Sequence, residues 1–382
     1  MRLTDLPTPC VLLEQSRVDR NIDRMQKAAD ARRLRLRPHA KTHKSPALAR
    51  RQLARGAVGI CCAKLGEAEV FAEAGVRDIR LPYPLHPVNA ARVLALVNRT
   101  HLSFIIDHPA VARGWSDALR AATRTVDVLV KVDVGFHRCG IDPDADGAAE
   151  FVAEVARLPG LNFRGLLSHA GHAYGAMSDQ ETEAIAASEA RILTSLAARV
   201  RALGVPVEEI SVGATPTARF SLRQEGLTEL RPGNYVYYDR TQVALGSASW
   251  TDCALTVLAR VVSKPAPDRI ILDCGSKTLT TDQARGAGGV SGYGAVMTTL
   301  EATDHDPSLL IERLSEEHAT VRVTQTSPAR GGRQGGSLEP GDLVRVVPNH
   351  SCVVSNLVDA AWLVDGEQVI ERIDISARGR IA

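Results

Sequence analysis

The segment Arg35-Leu36-Arg37-Pro38-His39-Ala40-Lys41-Thr42-His43-Lys44 gathers cations, imidazoles and an amine into one short stretch. On an extended strand the side chains at 35, 37, 39 and 41 share one face, while Leu34, Leu36, Pro38 and Ala40 take the other. A strand covered on both faces must then aim this polar row into a barrel or stand it at the barrel's mouth. Lys41 falls at the C-terminal end of the run, where the active sites of parallel barrels form. Neighbouring cations destabilise an ammonium, so a lysine placed there is available as a Schiff-base nucleophile. A solvated basic face on a surface strand would have the same spacing. Far along the chain, Val347-Pro348-Asn349-His350-Ser351-Cys352 offers a second chemistry. If this is a strand, His350 and Cys352 project to one side, and imidazole with thiolate suits zinc. Two ligands are too few for a closed structural site. They predict an open, catalytic metal with positions left for water or a substrate oxygen; the bland alternative is a buried cysteine beside a hydrogen-bonded histidine.

Three further runs could complete a site. Ser168-His169-Ala170-Gly171-His172-Ala173-Tyr174-Gly175 places His172 and Tyr174 after a strand, in acid–base or ring-stacking roles. Ser211-Val212-Gly213-Ala214-Thr215-Pro216-Thr217 runs from a strand into small residues and hydroxyls at a helix start, where backbone N–H groups favour a phosphate. Arg231-Pro232-Gly233-Asn234-Tyr235 is another glycine turn after a strand and could close the same cup. Each could equally be an ordinary turn.

The elements that must position these residues alternate. β-like runs at 8–14, 35–41, 59–64, 78–85, 101–107, 126–134, 162–170 and 208–214 are separated by stretches with helical apolar spacing, such as Val18, Ile22, Met25 and Ala29. Such alternation means parallel βα units, and eight repeats predict a (β/α)8 TIM-like barrel over residues 1–244; a doubly wound sheet would show the same local pattern. After Thr228–Asp239 the texture becomes strand runs without helices, predicting a C-terminal all-β domain over 245–382, with which the first few residues could pair. Two stretches, 280–294 and 327–342, read as loops; the first is glycine-rich but does not join a strand to a helix as a dinucleotide loop does.

Composition narrows the classes. With 46 basic and 44 acidic residues in 382, the net charge of +2 gives no reason to expect nucleic acid. No apolar run is long enough for a membrane span and no export segment opens the chain, so a cytoplasmic protein without a membrane partner is expected. Seven scattered cysteines without C-x-x-C pairs argue against disulfide frameworks and structural zinc modules.

Taken together, RPHAKTHK, GICCAKLGEAE, SHAGHAYG, SVGATPT, ELRPGNYVYYD and PNHSC resemble the D-serine dehydratase and D-threonine aldolase family, fold-type III pyridoxal-phosphate enzymes related to alanine racemase with an added metal site. The resemblance covers nearly the whole chain. It implies that Lys41 carries pyridoxal 5'-phosphate, that Gly213, Thr215, Gly233 and Asn234 hold the phosphate, and that Tyr174 and Arg138 lie near cofactor and substrate. It further implies Arg231 near the pyridine nitrogen, and His350 with Cys352 on a divalent metal, zinc before manganese or magnesium. A small β-hydroxy-D-amino acid as substrate and a homodimer follow from the resemblance alone. Two lyase reactions share these parts: β-elimination to a keto acid and ammonia, or retro-aldol cleavage to glycine and an aldehyde. The His-x-Cys pair and His-Ala-Gly-His-Ala-Tyr resemble the dehydratase branch, which is the reading preferred. A racemase would need a second base, and the β domain offers only Tyr293. A non-catalytic cofactor carrier would lack that domain altogether.

Overall fold

The computed structural model describes residues 1–286, 290–324 and 337–382; the segments 287–289 and 325–336, which take in parts of both loop-like stretches, lie outside the described residues. Strand β1 (Cys10–Glu14) carries Val11, Leu12 and Leu13 in succession, each no more than 1% exposed. An unbroken apolar run is satisfied only by cover on both faces, where each side chain contributes roughly 1.5–3 kcal/mol. The barrel begins after it: β2 (Arg35–Leu36), β3 (Ile60–Cys61), β4 (Asp78–Pro84), β5 (His101–Ile106), β6 (Val126–Lys131), β7 (Leu161–Leu167), β8 (Glu209–Val212) and β9 (Glu229–Leu230). These strands are parallel in the order β2-β9-β8-β7-β6-β5-β4-β3. The ring closes between β2 and β3 through the His39–Cys61 bridge, with Val58 N–H donating to Leu36 (2.9 Å) and Cys61 N–H to Pro38 (2.8 Å).

The expected count of eight holds, but not the membership. The first β-like run is β1, which stands in the second sheet, and the eighth barrel strand is β9, a pair of residues inside Glu229–Arg231. Pro232 has no N–H to continue the ladder, so β9 is too short to announce itself. The polar row is also shorter than expected: Lys41 lies in a 3₁₀ turn, Ala40–Thr42, beyond the strand end.

The inward row of β2 meets acids from other strands. Glu229 accepts from Arg37 Nε (2.9 Å), from Arg80 (2.5 Å) and from Ser211 Oγ (2.7 Å), while Arg80 also donates to Glu209 (2.9 Å). Arg37 reaches Asp78 as well. Burial works to raise the Glu229 carboxyl, but Arg80 and Arg37 prevail and hold it at about 2, against an ordinary 4.5. A carboxylate depressed on folding stabilises fully above its unfolded value and loses that contribution as pH falls through the folded one. Wild type is therefore expected to lose stability between about pH 4.5 and 2 in part through this group. Glu229→Gln, which leaves two buried guanidiniums short of a partner, is expected to cost about 3–5 kcal/mol at neutral pH and to flatten that acid limb. Thermal midpoints followed from pH 7 to 3 check both; an unchanged midpoint at neutral pH would contradict the pairing.

The second sheet contains β1 with β10 (Leu255–Ala266), β11 (Arg269–Leu272), β12 (Ala295–Met297), β13 (Leu309–Leu314), β14 (Ala319–Val323), β15 (Leu343–Val347), β16 (Ala360–Asp365) and β17 (Gln368–Asp374). It is mostly antiparallel; β1 runs antiparallel to β10 and parallel to β16. Leu3 N–H also donates to Glu367 in the turn before β17. The expectation of strands without helices fails in one place that matters. Strand β15 ends at Val347, ahead of Pro348, and Ser351–Leu357 is a helix with His350 as its N-cap. Among the described residues no helix is long and apolar enough to cross a membrane.

Candidate active site

The C-terminal ends of the barrel strands and the segment after β15 enclose one cavity. Its walls include Lys41, Arg138, Tyr174, Gly213, Thr215, Arg231, Gly233, Asn234, His350 and Cys352. Of the residues expected from sequence to serve catalysis, cofactor or metal, His172 is the one that does not line it. His172 packs toward Gly135, its Nδ1 buried without a partner, while the preceding His169 occupies the cavity wall.

Lys41 is exposed to the cavity, and its backbone N–H donates to His39 Nδ1 (3.3 Å). Two imidazoles face it. Burial first, and then the Lys41 ammonium, hold both His39 and His169 well below the ordinary histidine value, so both are neutral at physiological pH. His169 Nδ1–H donates to the Gly213 carbonyl and its ring meets Phe136 edge-on at 5.8 Å. Beneath them Arg231 is locked in place: Nε donates to Ser211 Oγ (2.7 Å), and a terminal nitrogen donates to the Ser168 and Ser211 carbonyls. Because Ser211 in turn donates to Glu229, the barrel's interior ion network reaches the cavity floor through one hydroxyl. Lys131, at the end of β6 and absent from the sequence reading, is buried nearby; burial, then Arg231, lower its ammonium to about 7.

Gly213 and Gly233 have no room for a side chain. A Cβ at Gly213 would sit 2.8 Å from that of Arg231, and one at Gly233 would sit 2.9 Å from Thr42 Oγ1. Thr215 Oγ1 is buried with no partner, as is Asn234 Oδ1. Close-packed glycines and an orphaned hydroxyl at the edge of a cavity are what an anionic ligand held by backbone and hydroxyl donors requires, so the residues present fit a phosphate. The Asn234 amide points elsewhere: Nδ2 donates to Asp239 (2.6 Å) and Ser351 Oγ (3.0 Å), leaving its main chain for the cup.

The opposite wall holds the imidazole and thiol. They do not alternate on a strand; the turn from β15 into the helix sets His350 and Cys352 side by side on the cavity wall, where each favours the charged form of the other. Burial resists ionisation of Cys352, but His350 and, after it, Lys41 hold the thiol below its ordinary value. His350 Nδ1 bonds Asp282 Oδ2 at 2.6 Å, which fixes the ring and leaves Nε2 as its remaining nitrogen for a ligand. Among the described residues no third histidine, cysteine, aspartate or glutamate completes a metal-binding cluster. The donor set therefore fits an open site rather than a closed one. Thr42 Oγ1 lies 3.2 Å from Cys352 Sγ, so the residue after Lys41 touches the thiol directly.

Sequence reasoning missed Asp239 and Asp282. Asp239, buried, accepts from Asn234, from Ser351 N–H (3.0 Å) and from Gln242 N–H (3.1 Å), bolting the barrel to the helix start that bears Cys352. Its position closing the Tyr237-Tyr238-Asp239 run is the sole signal it offers in sequence.

Comparison with known proteins fits this layout. Residues 13–241 match the family model for the alanine racemase N-terminal domain, and residues 254–364 match a serine dehydratase domain model. The chain is 35% identical to the D-threonine aldolase of an Arthrobacter species over 99% of its own length and 94% of the relative's. The chain belongs to the D-serine dehydratase and D-threonine aldolase family of pyridoxal-phosphate lyases. Among other members, the D-threo-3-hydroxyaspartate dehydratase of Delftia sp. (strain HT23) is 32% identical, covering 97% of this chain and 98% of that protein. A solved structure of a D-threo-3-hydroxyaspartate dehydratase, a cysteine-to-alanine mutant in the metal-free form, superposes with a TM-score of 0.89 at 30% identity over 98% of both chains. Both family models are thus matched in one chain, one after the other.

Proposed function

We propose that the protein is a metal-assisted pyridoxal-phosphate lyase that removes water and then ammonia from a β-hydroxy-D-amino acid, yielding a 2-oxo acid. The observation that carries this reading is the Thr42–Cys352 contact, which sets the amine of Lys41 and the His350–Cys352 pair against the same cavity space. When bound, pyridoxal phosphate supplies an electron sink that acidifies the substrate's α-C–H, and a divalent cation supplies a Lewis acid for the β-oxygen.

The chain's own residues divide the remaining work. Lys41 would carry the cofactor, and its amine would take the proton from the substrate's Cα. Gly213, Thr215 and Gly233, with the Asn234 main chain, hold the phosphate. Arg231, fixed by Ser168 and Ser211, would offer its guanidinium to the cofactor's pyridine nitrogen. His350 and Cys352 would hold the metal, and a thiolate with an imidazole favours zinc over manganese or magnesium. Tyr174 lies along the wall, where burial keeps its phenol protonated. The hydroxyl leaves as water, and the released enamine tautomerises and takes up water to give the 2-oxo acid and ammonia.

Retro-aldol cleavage would need a base to take the β-hydroxyl proton beside the metal pair. Among the described residues Asp239 and Asp282 are committed to hydrogen bonds, Tyr174 is protonated and His172 lies outside the cavity, which leaves the neutral imidazoles of His39 and His169 as the bases in its wall. The His350-x-Cys352 pair and the D-threo-3-hydroxyaspartate dehydratase relative support elimination. The D-threonine aldolase relative favours the second reading, and product analysis decides: ammonia with a 2-oxo acid for elimination, glycine with an aldehyde for cleavage. Seven free thiols agree with a cytoplasmic setting, and a homodimer belongs to the same proposal through the family.

A further inference from the structure

Two cations in the cavity wall have no part in the reaction derived above. Arg138 and Arg285 both line the cavity, and among the described residues neither guanidinium is paired with a carboxylate. Arg138 rests over the Phe136 ring, 5.1 Å from its centroid. The cavity's own acids cannot serve them, because Asp239 is saturated by Asn234, Ser351 and Gln242, and Asp282 is engaged with His350. An arginine left unpaired in a cavity wall is a receptor for a carboxylate or phosphate. The phosphate has its own cup of glycines and hydroxyls on the barrel wall, and an α-carboxylate requires one cation, not two.

Arg285 is anchored to the segment that carries His350 and lines the same cavity. Its backbone N–H donates to Thr241 Oγ1 (3.3 Å), and Thr241 donates to the Asn349 carbonyl (2.8 Å). Asn349 Nδ2 donates back to the carbonyls of Asp282 (3.0 Å) and Gly292 (2.8 Å). The segment bearing Arg285 is therefore tied to the residue that precedes His350, and to His350 itself through Asp282. A β-oxygen drawn to the His350–Cys352 pair would turn the other β-substituent toward this same wall.

We infer that Arg285 receives a second carboxylate carried on the β-carbon, so that the preferred substrates are β-hydroxy-D-amino dicarboxylic acids, of which D-threo-3-hydroxyaspartate is the smallest type, over D-serine and D-threonine. The inference rests on the lyase reading of this cavity, and its test is built to separate the two. Cofactor-loaded protein is titrated calorimetrically with D-aspartate and D-alanine, which lack the β-hydroxyl and so cannot undergo the elimination. Wild type is expected to prefer D-aspartate. Arg285→Gln should reduce that preference by about 10–100-fold, as for loss of one charge-assisted hydrogen-bonded pair, and Arg285→Lys should restore part of it. The ratio of kcat/KM for D-threo-3-hydroxyaspartate to that for D-serine should fall by a similar factor. A preference unchanged in Arg285→Gln overturns the inference, and so does an equal loss for both ligands, which would place Arg285 on the α-carboxylate. If neither hydroxylated amino acid is consumed by wild type, the lyase reading fails while the calorimetric preference still decides the role of Arg285.

Discussion

Lys41→Ala is expected to leave a folded protein that has lost the visible absorbance of lysine-bound cofactor and at least about 10⁴ of its lyase turnover. The fold should be indifferent to the change, because the Lys41 side chain is exposed and makes no hydrogen bond or ion pair with the described residues; such substitutions usually fall within about 0.5 kcal/mol. The chemistry should not be indifferent. The same amine is asked to carry the cofactor and to move the α-proton, and a positioned acid–base group alone is worth about 10²–10⁴. His39 and His169 do not replace it: both are neutral, but neither can form the bond to the cofactor. Spectrophotometry of the purified variant, followed by borohydride treatment, checks the outcome. Cofactor that is still trapped on the variant would contradict the assignment.

Cys352→Ala is expected to separate the two halves of the site. The cofactor band should remain, because Lys41, Gly213, Thr215 and Gly233 are untouched, while turnover falls by about 10³ or more with loss of the Lewis acid, whose transition-state stabilisation is worth several kcal/mol. The thiol contacts Thr42 and lies 3.6 Å from the Asn234 amide, so its removal leaves the Asp239 clamp on Ser351 in place. Wild type treated with a strong chelator should behave in the same way and recover on addition of zinc, whereas the variant should recover little. Undiminished turnover by metal-free enzyme would refute a metal in the reaction. Loss of the cofactor band along with activity would instead mean that Cys352 supports the cofactor.

What could be read from sequence was chemistry carried by residue type, and what could not was chemistry made by juxtaposition. An amine after a polar alternating run, a His-x-Cys pair and two glycine turns are local patterns, and the fold brings all of them to one cavity. The backbone that delivers them was misjudged at three points. Lys41 sits on a 3₁₀ turn because the strand stops early, and Pro348 ends β15 so that His350 caps a helix instead of pointing off a strand. The run at β1 looks like any buried parallel strand, and its membership in the second sheet is decided by partners more than 240 residues away, such as Leu255 and Leu258. Asp239 and Asp282 escaped notice for a related reason. A single aspartate has no local signature, and Asp282 acquires its role from a histidine 68 positions later. His172 shows the converse limit: a suggestive spacing set it beside Tyr174, yet a short 3₁₀ turn over Gly171–Gly175 sends His172 outward and keeps Tyr174 in the wall.

The most direct measurement is the fate of substrate nitrogen in a single-substrate incubation. Zinc-restored holoenzyme is supplied with D-threo-3-hydroxyaspartate, and ammonia, glycine, oxaloacetate and glyoxylate are quantified against substrate consumed. Elimination assisted by Lys41 and the His350–Cys352 pair predicts one ammonia and one oxaloacetate for each substrate lost, with no glycine. Glycine and glyoxylate in equal amounts, without ammonia, would contradict it.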